Sequence, residues 1–183
     1  EELFYLMEIS NKLDANLRHF HQLLRVNENF DVVYRVIQIG GRDACVYFVD
    51  GFAKDDTLLR ILQGFTSLKP DAVPQTAHEF SKLFIPYGEV DLLTDDAEIA
   101  VQVLSGVPCL FVDGYSKCFA IDCRTYPARG VAEPDKDKVL RGSRDGFVET
   151  LVFNTALIRR RIRDPQMTIE VMQAGSKSHT DIA

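Results

Sequence analysis

The stretch "DVVYRVIQIGGRDACVYFVDG", residues 31–51, constrains the fold more than any other part of the chain. It holds two runs dense in β-branched and aromatic side chains, separated by Gly40-Gly41-Arg42-Asp43. Such runs fit a pleated surface far better than a helix, and the glycine pair between them predicts a strand, a tight turn and a second strand. A second unit of the same kind follows in "PCLFVDGYSKCFAIDC", residues 108–123, with Asp113-Gly114 as the turn dipeptide. Both units contain "FVDG". In each copy it reads as a strand end whose glycine lets the backbone reverse or redirect.

The hairpins need apolar partners, and the helical segments supply them. Ser10 is placed to cap a helix running to Arg25, with Leu13, Leu17, Phe20 and Leu24 at helical spacing. Asp55 or Asp56 opens a helix from Asp56 to Phe65, with Leu58, Leu59, Leu62 and Phe65 on one face. "HEFSKLF" predicts a short helix before Pro86. Asp95 and Glu98 form a capping-box pattern for a helix from Asp95 to Ser105, with Ile99, Val103 and Leu104 inward. A last helix is expected from Arg144 to Arg163, capped by Ser143 or Asp145, its core stripe Phe147, Leu151, Ile158 and Ile162, closed by Pro165. The expected class is α/β: a mixed sheet built from two β-hairpins and packed by several helices. "VIQIGGR" at residues 36–42 returns as "VMQAGSK" at residues 171–177. This echo predicts two related subdomains, the first over residues 1–163. Residues 164–183 are then a linker and the first strand of a second subdomain, whose hairpin the chain leaves incomplete. The absence of an initiating Met and an end inside a strand-like run fit an excised portion of a longer protein.

Charge narrows the function. The net charge of -6 argues against nucleic acid as a partner, which requires a basic surface to displace counterions. Yet residues 124–163 carry 10 basic and 5 acidic side chains. Four of these arginines, Arg159, Arg160, Arg161 and Arg163, lie where a helix C-terminus favours cations. The alternative is an interaction face for an acidic partner or anionic lipid headgroups, made of Arg124, Arg129, Arg141, Arg144, Arg159, Arg160, Arg161 and Arg163. "RGSRDG" at residues 141–146 could hold a phosphate or carboxylate at a helix start, but no Walker lysine or GxGxxG accompanies it. Asp50 and Asp113 raise a Mg²⁺-dependent phosphotransfer or hydrolase reading; turn aspartates bonding their own backbone are the commoner use of Asp-Gly. His19, His21, His78 and His179 make no metal set, and no cofactor or catalytic residue is expected. Cys45, Cys109, Cys118 and Cys123 form no CxxC and read as reduced core thiols, with a bridge between Cys109 and Cys118 the lesser reading. No run of 18 apolar residues is present to span a bilayer.

The block from Arg124 to Pro165 reads "RTYPARGVAEP", then "VLRGSRDGFVETL", then "NTALIRRRIRDP". With "DGY" at residues 113–115 and the upstream hairpin, this ordered set resembles the GerA/SpoVAF family of spore germination proteins, membrane proteins of endospore-forming bacteria. The likeness spans nearly the whole chain. "TYP" at residues 125–127 and "GSRDG" at residues 142–146 are more similar to the SpoVAF branch than to nutrient-receptor A subunits, which tend to carry Trp before the Pro and Pro in place of Ser143. The resemblance implies a cytosolic, N-terminal α/β domain of a spore inner-membrane protein. It implies assembly or signal coupling in a germinant receptor or ion-release complex, partners among the other subunits of that complex in homo- or hetero-oligomers, and no enzymatic activity. A small-molecule or anion binding module is the alternative.

Overall fold

The computed structural model describes residues 8–53, 55–85, 88–126 and 146–183. In chain order they form α1 (Leu13–Leu23), β1 (Val32–Ile39), β2 (Arg42–Val49), α2 (Asp55–Thr66), a 3-10 turn (Pro70–Ala72), α3 (Ala77–Phe84), β3 (Glu89–Leu93), α4 (Asp96–Leu104), β4 (Cys109–Val112), β5 (Cys118–Asp122), α5 (Leu151–Arg161), β6 (Met172–Ala174) and β7 (Thr180–Ile182).

Both expected hairpins join one five-stranded sheet of order β1-β2-β4-β5-β3. All its pairs are antiparallel, so the sheet is not mixed in direction. The β1–β2 register ends at Ile39↔Arg42, leaving Gly40 and Gly41 as a two-residue turn with φ of 54° and 76°. Two successive left-handed residues are what such a hairpin needs, and a Cβ at Gly40 would overlap the Val73 side chain. The far edge is β3, which the hydrophobic pattern hides because Glu89 and Asp91 alternate with Val90 and Leu92.

The sheet is covered on both faces. Cys45 and Tyr47 of β2, Cys109 and Phe111 of β4, and Cys118 and Ala120 of β5 share one core cluster with Leu13, Phe20 and Leu24 of the α1 region and Ile99, Val103 and Leu104 of α4. The alternate residues, Ala44, Val46, Leu110, Val112, Phe119 and Ile121, pack against Ile61 and Phe65 of α2 and Ala77 and Phe80 of α3. Burial on both sides explains why β4 is apolar without interruption, where a strand with one wet face would alternate. The α2 stripe is rotated from expectation: Ile61 is buried, and Leu59 is 54% exposed.

Two sequence expectations change at the C-terminal end. Helix α5 begins at Leu151, not near Arg144. Phe147 and Val148 precede it as non-helical chain, and the Asn154 side chain bonds both the N–H and the C=O of Val148. The proposed caps Ser143 and Asp145 lie outside the described residues. The second echo does complete a hairpin, since β6 and β7 pair antiparallel over Met172↔Ile182 to Ala174↔Thr180 as a separate two-stranded sheet.

Candidate functional site

The cationic block is the feature with most to explain, and its centre is inverted relative to the sequence pattern. The residues α5 buries are Thr155, Ala156 and Arg159, while Phe153, Ile158 and Ile162 point outward with 45%, 36% and 47% of their surface exposed. The helix docks on the turn after β2. Gly51 has φ 79°, and a Cβ there would stand 3.4 Å from Val152 and 4.0 Å from Ala156, so its bare backbone is the seat for α5. Ala156 completes a small cluster with Val49 and Phe52.

Arg159 then fixes the helix in place, with no exposed surface at all. Its Nε donates to Asp31 Oδ2 at 2.8 Å and its Nη2 to Asp31 Oδ1 at 3.0 Å, the two-pronged geometry that suits guanidinium and carboxylate. Nη2 also donates to Asn29 Oδ1 and Nη1 to the Met167 carbonyl, each at 3.0 Å. Asn29 in turn donates to the Leu24 carbonyl and accepts from the Ile169 N–H, and the Phe30 N–H donates to the Ile169 carbonyl. One buried cation thus ties together the end of α1, the entry to β1, α5 and the segment at 167–169 that leads to β6. It is structural, not a surface contact, because its charge is spent on Asp31. Sequence reasoning missed Asn29 and Asp31, which stand 130 and 128 positions away and lie in an ordinary polar strand entry.

The remaining arginines divide. Arg160 lies over the Tyr126 ring at 4.4 Å, and Tyr126 is held by its hydroxyl donating to the Ser105 carbonyl and by an edge contact with Phe52. Arg124, two residues before that tyrosine, grips Asp122 through Nε to Oδ1 at 2.9 Å and through Nη2 to Oδ2. That hydrogen bonding holds the Asp122 carboxyl below its ordinary range and raises Arg124 above its own. Arg124 and Arg160 are therefore gathered around Tyr126. Arg161 and Arg163 are exposed, and Arg129, Arg141 and Arg144 lie outside the described residues.

The other candidates have structural duties. Asp113 Oδ1 accepts from the Leu13 N–H at 2.9 Å, and the Gly114 N–H donates to the Asn11 carbonyl, so the second "FVDG" caps α1 from across the chain. Ser10, the expected cap, instead accepts from the Lys12 N–H. The repeated motif is accounted for: each copy is a strand-end seat for a helix, Gly51 for α5 and Asp113-Gly114 for α1. All four cysteines are free and buried. Burial pushes the Cys45 thiol up to about 12 and raises Cys118, which makes both poor nucleophiles. Cys109 pairs with Ala120, not with Cys118. Among the described residues no group of three or more His, Cys, Asp or Glu is placed to hold a metal ion.

Comparison with known proteins completes the description. Residues 19–183 match the family described as Bacillus/Clostridium GerA spore germination protein. The chain is 35% identical to stage V sporulation protein AF of Bacillus subtilis over 92% of its own length and 34% of that protein's. It is 28% identical to the uncharacterized membrane protein YfkQ of the same organism, over 95% of this chain and 34% of that one. The fold matches the crystal structure of the N-terminal domain of the A subunit of the Bacillus megaterium spore germinant receptor GerK3, with a TM-score of 0.73 at 22% identity, covering 96% of this chain and 64% of that one. The chain thus spans about a third of the curated relatives it matches, and no helix among its described residues is long and apolar enough to cross a membrane. With a family match over most of its length and a shared α/β fold, the chain belongs to the GerA family of spore germination proteins.

Proposed function

We infer that this chain is the N-terminal domain of a spore germination protein whose membrane-embedded portion lies in the remaining length seen in its relatives, with the domain on the cytosolic side of the spore inner membrane. It acts by contact and conformational coupling within a germination complex, without chemical turnover. The higher identity to stage V sporulation protein AF favours an ion-release component over a nutrient receptor subunit. On this reading residues 1–163 form the first subdomain, and the β6–β7 hairpin opens a second, related one.

One observation carries the reading: Arg159 turns inward and locks α5 so that Phe153, Ile158 and Ile162 face out beside Arg160 and Arg163. A helix that spends its polar anchor inside and leaves its apolar residues outside is built to be covered. The contact face is completed by Arg124 and Arg161, with Arg129, Arg141 and Arg144 assigned to it from the sequence, and it meets neighbouring subunits or the anionic leaflet. Arg160→Glu with Arg163→Glu, introduced into the full-length protein, should leave its level in the spore membrane unchanged and slow germination followed by the fall in optical density of the spores. Unchanged germination at an unchanged protein level would reject the contact face.

A further inference from the structure

The two edges of the five-stranded sheet differ in a way that the arginine face does not account for. One edge is β3, five residues long, with Glu89 and Asp91 exposed. The other is β1, eight residues long, with Tyr34 41% and Val36 53% exposed. An exposed edge strand with an aromatic and a branched side chain invites pairing, whereas acidic residues on a short strand discourage pairing with any edge that does not answer their charge. Beside β1 runs an open groove of about 690 Å³ against α1, lined by Leu17, His21, Tyr34 and Val36 with Arg18, Gln22 and Arg25, and Glu28 stands 3.8 Å from Arg25. Arg18 and Gln22 follow the i, i+4 spacing of one helix face, and Arg25 stands just past the end of α1. The cleft wall is stiff: His21 Nδ1 lies 2.8 Å from the buried Tyr47 hydroxyl and 2.7 Å from the Leu17 carbonyl, and its ring meets Tyr34 edge-on at 4.5 Å.

The register places both sets of charges on the same side of the sheet. Tyr34 and Val36 stand opposite Tyr47 and Cys45, which face the α1/α4 layer. Asp91 and Leu93 stand opposite Ala120 and Cys118, which face that same layer, and Glu89 shares their side by alternation. Strand directions add a second match, because four antiparallel steps separate β1 from β3 and leave them parallel. A neighbouring copy placed in the same orientation therefore brings its β3 alongside β1 with Glu89 and Asp91 over Arg18 and Arg25. Pairing β1 with β1 would instead set Arg18 and Arg25 against their own images, and pairing β3 with β3 would oppose carboxylates.

We propose that β1 and its cleft receive the β3 edge of a second copy of this chain, extending the sheet head to tail through Arg18 and Arg25 against Glu89 and Asp91. Such a contact is heterologous, so it propagates from copy to copy and does not stop at a dimer. It is independent of the α5 face, and either can fail without the other. The experiment uses the 183-residue chain in sedimentation velocity across a concentration series. Wild-type protein should grow in mass with concentration past the dimer, and roughly 0.5 M salt should reverse it by screening. Arg18→Glu with Arg25→Glu, and separately Glu89→Lys with Asp91→Lys, should each weaken association about tenfold or more, because one edge now repels the other. An equimolar mixture of the two variants should associate again, since each then presents the charge the other lacks. Far-UV circular dichroism and urea midpoints confirm that both variants are folded. A wild-type chain that stays monomeric to about 1 mM, stops at a dimer, or associates equally in both variants overturns the proposal. So does β1 amide protection by added polyglutamate in a monomeric wild-type chain, which would assign the cleft to a foreign acidic segment.

Discussion

Helices α1 and α5 are both 11 residues long, and both lack a side-chain cap from their own N-cap residue, yet they are held by opposite means. The α1 region is fastened by apolar burial: Leu13, Phe20 and Leu24 sit in the core, and Phe20 meets Phe111 at 4.8 Å. Its apolar stripe faces in. Helix α5 buries a threonine, an alanine and an arginine, and leaves Phe153 and Ile158 exposed. A helix held by area can slide or tilt slightly at little cost, while one held by a forked ion pair keeps a single orientation. The comparison teaches that α5 is positioned, where α1 is merely packed, and that the outward apolar face of α5 follows from the choice of anchor.

The largest effects separate those mechanisms. Phe20→Ala should cost about 3–5 kcal/mol through the cavity it leaves, and no second substitution nearby restores that volume. Arg159→Ala should cost a similar 3–5 kcal/mol for a different reason, because Asp31 is left buried and unpaired. The distinction appears in the double variant: Arg159→Met with Asp31→Leu should recover most of the loss, since replacing a whole buried pair by apolar residues is often neutral. Urea unfolding midpoints at pH 7 measure all three. If the double variant is as unstable as Arg159→Ala, α5 is held by more than the ion pair and the contrast with α1 fails.

A smaller substitution asks whether charge or geometry does the positioning. Arg159→Lys keeps the cation but cannot serve Asp31, Asn29 and Met167 from one planar group. The expected loss is about 1–3 kcal/mol, that of one or two buried hydrogen bonds to a charged group. Amide exchange should speed up at Ile169, whose N–H relies on Asn29, ahead of the α1 amides. Uniform acceleration across both helices would mean that Arg159 contributes bulk stability only.

For α1 the matching test is its remote cap. Asp113→Ala removes the acceptor for the Leu13 N–H, and the expected cost is about 1 kcal/mol, in line with other lost caps. Fraying should be confined to the first turn, seen as faster exchange near Leu13 with α5 unaffected.

These two helices also show how far the sequence could be read. The α1 stripe at Leu13, Phe20 and Leu24 is periodic, and the structure buries it as the pattern requires. Both hairpins were legible because their strands are dense in β-branched and aromatic residues around glycine turns, and β4, covered on both faces, is an unbroken apolar run. In α5 the same reasoning pointed Phe147, Leu151, Ile158 and Ile162 at the core, and three of them are substantially exposed. The pattern failed because a buried arginine is affordable only with its acceptors, and Asn29 and Asp31 are distant in the chain. β3 was hidden for a related reason: an edge strand with charges at alternate positions carries almost no apolar run. What the sequence could not signal was pairing at long range, whether of one cation with one carboxylate or of one sheet edge with another.

The smallest expected effect lies beside α5, at the strand end that leads to the Tyr126 ring under Arg160. Asp122 is held below its ordinary pKa of 3.8, first by hydrogen bonds from Arg124. A carboxyl depressed in the folded state stabilises that state fully above its unfolded pKa, and the contribution disappears as pH falls through the folded value. Asp122 and Arg124 are 28% and 31% exposed, so solvent screening limits the contribution to about 0–1 kcal/mol. Asp122→Asn should therefore lower the unfolding midpoint slightly at pH 7, and the two proteins should converge as the pH falls through the folded-state pKa, below which the wild-type carboxyl is also neutral. The Arg160–Tyr126 contact reports whether the strand end moves, through Tyr126 fluorescence. A gap between the two proteins that persists to low pH would mean that Asp122 acts by shape, and that the end of β5 is packed like α1 and not clasped like α5.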